Sequence, residues 1–427
     1  MTGNSHTVGG DTTHRVVLPF YAYAAFSFLA ASLLLFRSSS AFTGHFFQPA
    51  ILAVTHTMAL GWGTMIIMGA SHQLLPVLTE NRLFSVALAY VSFVLAAIGI
   101  PLLVYAFYTF QLGWPARWGG SAIVVAIFCF VINIWGTLTG GNRDNVHAVY
   151  AVTASVWLLL AAFTGLALVY NFTSPFLPQG SLAYLPFHAH IGIAGWFLLL
   201  VIGVGSRLIP MFLISKYANE RLLWIIYFLI NGGLLSFLFL FFLPAGLSFA
   251  WLPIIVVFIA LVLFGYYCYC CYRERIRRQV DSRMKISLSS TGMLWIPPIL
   301  LIILVAALPV GHVDSRLVLV YGFITFFGWI TAIILGMTFK TLPFIVWNKI
   351  YHARSGAGSS PNPGELVDNS LFRAMMVAWL AGSLVFIAGI CCRRVPVLRA
   401  GAALLVSAAV LYNWNVWKVL TYKSPAK

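Results

Sequence analysis

Acidic residues are scarce. Only nine of 427 residues are Asp or Glu, and all charged residues together make up 8% of the chain, against roughly 25% in soluble domains. Carboxylates this few cannot solvate a soluble protein of this size, and with 61% hydrophobic residues the chain is expected to lie in lipid. Each carboxylate falls in a segment that reads as a loop, a tail or a helix end. Proton pumps and ion-coupled transporters usually keep ionisable carboxylates inside their bundles, so this distribution argues against ion coupling. Cysteines are also few: Cys129, the cluster Cys268, Cys270 and Cys271, and the pair Cys391 and Cys392. No disulfide scaffold is expected from them, and a reactive thiol needs a special environment that span ends do not ordinarily supply. The first fifteen residues lack a basic region leading to a small-residue cleavage site, so no removable signal peptide is expected and the first span is retained.

Long apolar runs dominate what is present. A helix needs about 20 apolar residues to cross a bilayer. Such runs are read at approximately 16–36, 47–70, 83–108, 118–138, 147–170, 185–208, 221–243, 248–271, 290–309, 317–340, 371–391 and 397–418. The fold class is therefore all-α integral membrane, a single membrane domain over 1–427 with about twelve spans. The net charge of +16 sits in short loops and reflects topology rather than nucleic acid. Arg15, Arg82, Arg143, Lys216, Arg221, the run from Arg273 to Lys285, Lys349, Arg354, Arg373 and the terminal lysines fall on one side. Arg37, Arg117, Arg316, Arg393, Arg394 and Arg399 fall on the other. The positive-inside rule then places both termini in the cytoplasm. The run Arg273, Arg275, Arg277, Arg278, Arg283 and Lys285 reads as a topology-fixing stop signal, with anionic lipid head groups as its other use. The stretch from His352 to Ser370, rich in Gly, Ser, Pro and Asn, reads as a mobile loop.

An internal repeat is visible. The second span reads HTMALGWGTMIIMGASHQLLP, the sixth HIGIAGWFLLLVIGVGSRLIP and the tenth FITFFGWITAIILGMTFKTLP. Without gaps, Pro76, Pro210 and Pro343 correspond, as do Gly61–Trp62, Gly195–Trp196 and Gly328–Trp329, and Gly69, Gly203 and Gly336. Three four-helix units follow, approximately 16–140, 147–272 and 290–420, with the three helices running in one direction. Glycines there let a neighbouring backbone or a flat ligand approach closely, which makes Gly61, Trp62, Gly195 and Trp196 candidates to border a cofactor. The prolines stand where each helix nears water, where a lost hydrogen bond costs little.

Twenty residues before these prolines stand His56, His190 and Phe323. Equal spacing in parallel helices means equal depth, and two imidazoles at one depth can hold the iron of a six-coordinate heme between them. His56 and His190 are therefore the expected ligands of one low-spin heme. His188 leaves the helix roughly 200° round from His190, so the two cannot share an iron, and His188 is a further metal-ligand candidate for a second centre. His72 lies roughly 24 Å along the helix from His56, outside that site. His45, His312, His147, His352, His6 and His14 fall in loops or the tail and read as solvated.

Twelve spans in three repeats, cytoplasmic termini, His56 in a second span that ends in Leu75–Pro76, and His188–Ala189–His190 entering another long span resemble the catalytic subunit of heme-copper oxidases over nearly the whole chain. The resemblance implies that His56 binds a low-spin heme, and that the H-x-H supplies one ligand to that heme and one to a high-spin heme. Two departures stand out. The family's H-x-H lies in the tenth span, where this chain has Tyr321 and Phe323. The seventh span, LLWIIYFLINGGLLSFLF, lacks the histidine pair that would bind copper. The implied protein is an oxidase-like membrane cytochrome carrying heme b, with copper left open and oxygen or nitric oxide reduction not expected. It would work in the bacterial cytoplasmic membrane, among lipids, with cytochrome c or another redox protein as partner. A family of heme- and copper-containing nitric-oxide-response membrane proteins shares the span count and intramembrane H-x-H motifs. The competing readings are a cofactor-free transporter, since repeats are common there, an accessory protein for respiratory or metal assembly, and a full reductase with unrecognised ligands.

Overall fold

Twelve helices are long and apolar enough to cross a membrane in the computed structural model, which describes residues 13–243, 246–276, 279–307, 314–351 and 361–423. In chain order the spans are His14–Arg37, Pro49–Leu78, Val86–Tyr108, Trp114–Thr139, Val146–Thr173, Ser181–Leu213, Glu220–Phe241, Trp251–Arg273, Ser282–Ala307, Ser315–Tyr351, Asn369–Cys392 and Val395–Leu420. Among the described residues there is no strand, only an isolated bridge between Ser215 and Arg275.

Polar residues rare in the spans are spent at their starts. Ser85, Asn145, Asn219, Asp281, Asp314 and Asp368 each precede a helix and accept from its first backbone N–H groups, which satisfies donors that lipid could not. Hairpins then close on glycine. A Cβ on Gly99 would stand 2.9 Å from the Gly119 carbonyl, and one on Gly382 3.0 Å from the Gly401 carbonyl, so the third span packs backbone to backbone on the fourth and the eleventh on the twelfth. The fourth span also packs on the fifth, the eighth on the ninth, and the twelfth back on the first.

The second, sixth and tenth spans are the longest, with 30, 33 and 37 residues, and the most buried. They fill the centre of the bundle. At one end they carry His56, His190 and Phe323, and at the other Pro76, Pro210 and Pro343; these ends are called here the histidine end and the proline end.

Two sequence expectations change. The ninth span starts at Ser282, not near 290, because Arg283, Ser287, Ser290 and Thr291 are buried against the tenth span at Gly336. Arg283 is accordingly no solvated loop residue: its guanidinium donates to the Gly364 carbonyl and to Asn369 Oδ1. Arg277 and Arg278 lie outside the described residues. The segment from His352 to Ser370 is described only from Pro361, and that part is anchored, since Trp347 Nε1 donates to the Pro361 carbonyl at 2.6 Å.

Candidate functional site

Each central span contains a π-helical stretch: Thr57–Thr64, Ile191–Leu198 and Ile324–Ile330. The residue immediately before each is His56, His190 or Phe323. A π turn is rare, interrupts the ordinary i to i+4 ladder, and is common at functional sites. Each stretch contains the Gly-Trp pair of its span.

Those tryptophans bond across the bundle. Trp62 Nε1 donates to Thr331 Oγ1 at 3.2 Å, and Trp196 Nε1 donates to Thr64 Oγ1 at 3.0 Å. Thr64 and Thr331 stand two residues after Trp62 and Trp329, and the matching residue after Trp196 is Leu198. Among the described residues Trp329 Nε1, which is buried, has no partner. The sequence held a signal for this, a threonine in register twice, although the tryptophans stand out more.

The imidazole nearest His56 is that of His188. Their ring centres are 6.3 Å apart and their planes differ by 11°. His56 Nδ1 bonds the Leu52 carbonyl at 2.8 Å, and His188 Nδ1 bonds the Ala161 carbonyl at 3.0 Å. A carbonyl only accepts, so Nδ1 carries the proton in both neutral rings and Nε2 keeps its lone pair. Two imidazoles bound through nitrogen to one metal at about 2 Å each would set ring centres on the order of 6 Å apart. The 6.3 Å between the His56 and His188 ring centres matches that spacing. Gly165 opens the space for His188, since a Cβ there would stand 2.8 Å from its Cε1, and Phe107 lies 4.5 Å from the His56 ring.

His190 looks elsewhere. Its neighbours are Phe237 and Tyr321, at 5.6 and 6.0 Å between ring centres. Its Nδ1 bonds the Pro186 carbonyl at 2.7 Å, and its buried Nε2 has no partner among the described residues. The histidines paired by repeat position, His56 and His190, are thus not each other's ring neighbours. Phe323 stacks on Phe327 and Phe386 instead. His72 is fully buried between Phe20 and Phe130. His147, expected in a solvated loop, instead lies in the fifth span and bonds the Gly203 carbonyl and Ser206 Oγ of the sixth. His45 lies outside the helices and stacks on Phe46, while His6, His312 and His352 lie outside the described residues.

The repeat glycines are occupied by helix packing. A Cβ on Gly61 would meet Ser27 at 2.8 Å, on Gly195 Trp157 at 2.7 Å, and on Gly69 Phe20 at 2.6 Å. Trp62 stacks on Phe28. Among the described residues no group of three or more His, Cys, Asp or Glu side chains gathers where it could hold a metal ion; a porphyrin would need only two from the protein.

Past the tryptophans, toward the proline end, the central spans line a cavity of about 110 Å³ that is open along part of its boundary. Its walls come from corresponding positions of the second, sixth and tenth spans, with Ile66 matched by Leu200 and Ile333, and Ala70 by Val204 and Met337. No protein-family model matches the chain, and no curated protein matches it.

Proposed function

We propose that the chain is a membrane heme protein, built from three four-helix units about a pseudo-threefold axis and related to the catalytic subunit of heme-copper oxidases. His56 and His188 are the residues that would hold the heme. The observation that carries this is the His56–His188 pair itself, near parallel at 6.3 Å with both Nδ1 atoms held by backbone carbonyls. Corresponding residues lining the central cavity and the crossed Trp–Thr bonds support the threefold arrangement.

When bound, heme b would supply one-electron chemistry and an iron for gas ligands such as oxygen or nitric oxide. The protein fixes the two imidazoles, keeps their Nδ1 protons on carbonyls, and excludes water with Phe107 and the surrounding apolar side chains. Its task is electron transfer or gas handling in the bacterial cytoplasmic membrane, with both termini cytoplasmic and cytochrome c or a similar protein as redox partner. His190, with its free Nε2 beside Tyr321, is the position for a second ligand. The absorption spectrum of the purified protein tests the reading. A sharp six-coordinate low-spin heme spectrum, lost on His56→Ala and on His188→Ala, is expected. Protein without heme would leave the cofactor-free transporter or accessory role, and stoichiometric copper with rapid oxygen or nitric oxide consumption would make it a full reductase.

A further inference from the structure

We infer that the cavity at the centre of the bundle is a binding site for a small uncharged apolar gas molecule. Its use as a store beside the heme rests on the function proposed above, but its occupancy does not. The walls are aliphatic: Ile66, Leu200 and Ile333 stand nearest the tryptophans, with Ala70, Val204 and Met337 about one turn further on. No charged side chain lines it.

Water gains little there. A buried water needs about three hydrogen-bond partners, and of the four hydroxyls at the wall, those of Tyr21, Ser71, Thr338 and Thr341, three already bond within the protein. Tyr21 and Thr341 bond each other at 3.0 Å, Thr341 also donates to the Met337 carbonyl, and Thr338 accepts from Tyr412. An apolar cavity of about 150 Å³ stays dry and takes up xenon or benzene. At about 110 Å³ this one holds a diatomic gas or a xenon atom but neither a porphyrin nor a quinone ring. A gas inside exchanges no hydrogen bond with water and gains dispersion contacts with the aliphatic walls.

The site is also walled off from the histidines. Ile66 lies ten residues beyond His56, roughly 15 Å along the helix, and the fully buried Trp62 and Trp196 with their threonine bonds stand between. Trp329, in register with them, has no acceptor for its indole among the described residues.

The test is a structure of the full-length protein under xenon pressure, with xenon exchange followed by NMR. Wild type should show one xenon site in the cavity. Ala70→Phe should abolish it by filling the space, and Ile333→Ala, which enlarges the cavity, should raise occupancy even if the filled variant does not fold. No xenon in wild type, an unchanged site in folded Ala70→Phe, or ordered water or an acyl chain in the cavity would each overturn the inference. His56→Ala should bind xenon as wild type does, so loss of heme and loss of the gas site are read separately.

Discussion

At the scale of single residues, the histidines show what spacing can and cannot decide. The repeat register aligns His56 with His190, and each immediately precedes a π-helical stretch, but under a threefold arrangement equivalent residues point the same way round rather than at each other. Under the proposed arrangement the partner of His56 must come from a different position of the next unit, and two residues earlier stands His188. The same offset sets His190 beside Tyr321. We therefore expect His56→Ala and His188→Ala each to abolish the six-coordinate spectrum, while His190→Ala leaves it in place. Loss on His190→Ala with retention on His188→Ala would reassign the ligand. Trp329 gives a second prediction at this scale. Leu198→Thr and Leu198→Val remove similar bulk, but only threonine offers the missing acceptor. The threonine variant should be the more stable by about 1 kcal/mol in thermal unfolding, and the difference should vanish in a Trp329→Phe background.

At the scale of elements, the spans were legible because twenty apolar residues in a row have few alternatives in lipid. The start of the ninth span was not, because Ser282–Met293 is polar by composition and is buried through packing on the tenth. The π turns were not read either, although all three fall in register on the repeated Gly-Trp pair. The glycines were read correctly as places of close approach, and the structure names what approaches: Ser27 at Gly61, Phe20 at Gly69 and Tyr150 at Gly203. Gly69→Ala should thus cost about 1–3 kcal/mol from overpacking. Gly232→Ala, with nothing near its Cβ, should be neutral or slightly stabilising through helix propensity. Equal melting temperatures for the two variants would show that the second span can shift away from the first.

At the scale of the whole molecule, the loops are tied to the bundle by few charges. Asp281 meets Lys340, and Asp368 meets Lys418. Burial alone would raise the Asp281 carboxyl, but the Lys340 ammonium and the Met284 N–H more than offset this and hold it below the usual carboxylate range. The Lys418 ammonium and the Leu371 N–H hold Asp368 low as well. A carboxyl lowered in the folded state stabilises it above the unfolded pKa, about 3.9, and that contribution is lost as pH falls through the lowered value. Thermal stability should therefore drop below about pH 4, and less so in Asp281→Asn, which should itself cost about 1 kcal/mol at neutral pH. Reporter fusions at residue 427 should report the cytoplasm; an outside signal would invert the proposed orientation. The closure of the ring bears on how the protein is made. The first span packs on the twelfth, and Trp62 finds its acceptor in Thr331, 269 residues later. While the ribosome is still delivering the later spans, the early ones stand in the bilayer with an open flank and an unanswered indole. These contacts therefore form only after the later spans are translated, not as the early spans emerge.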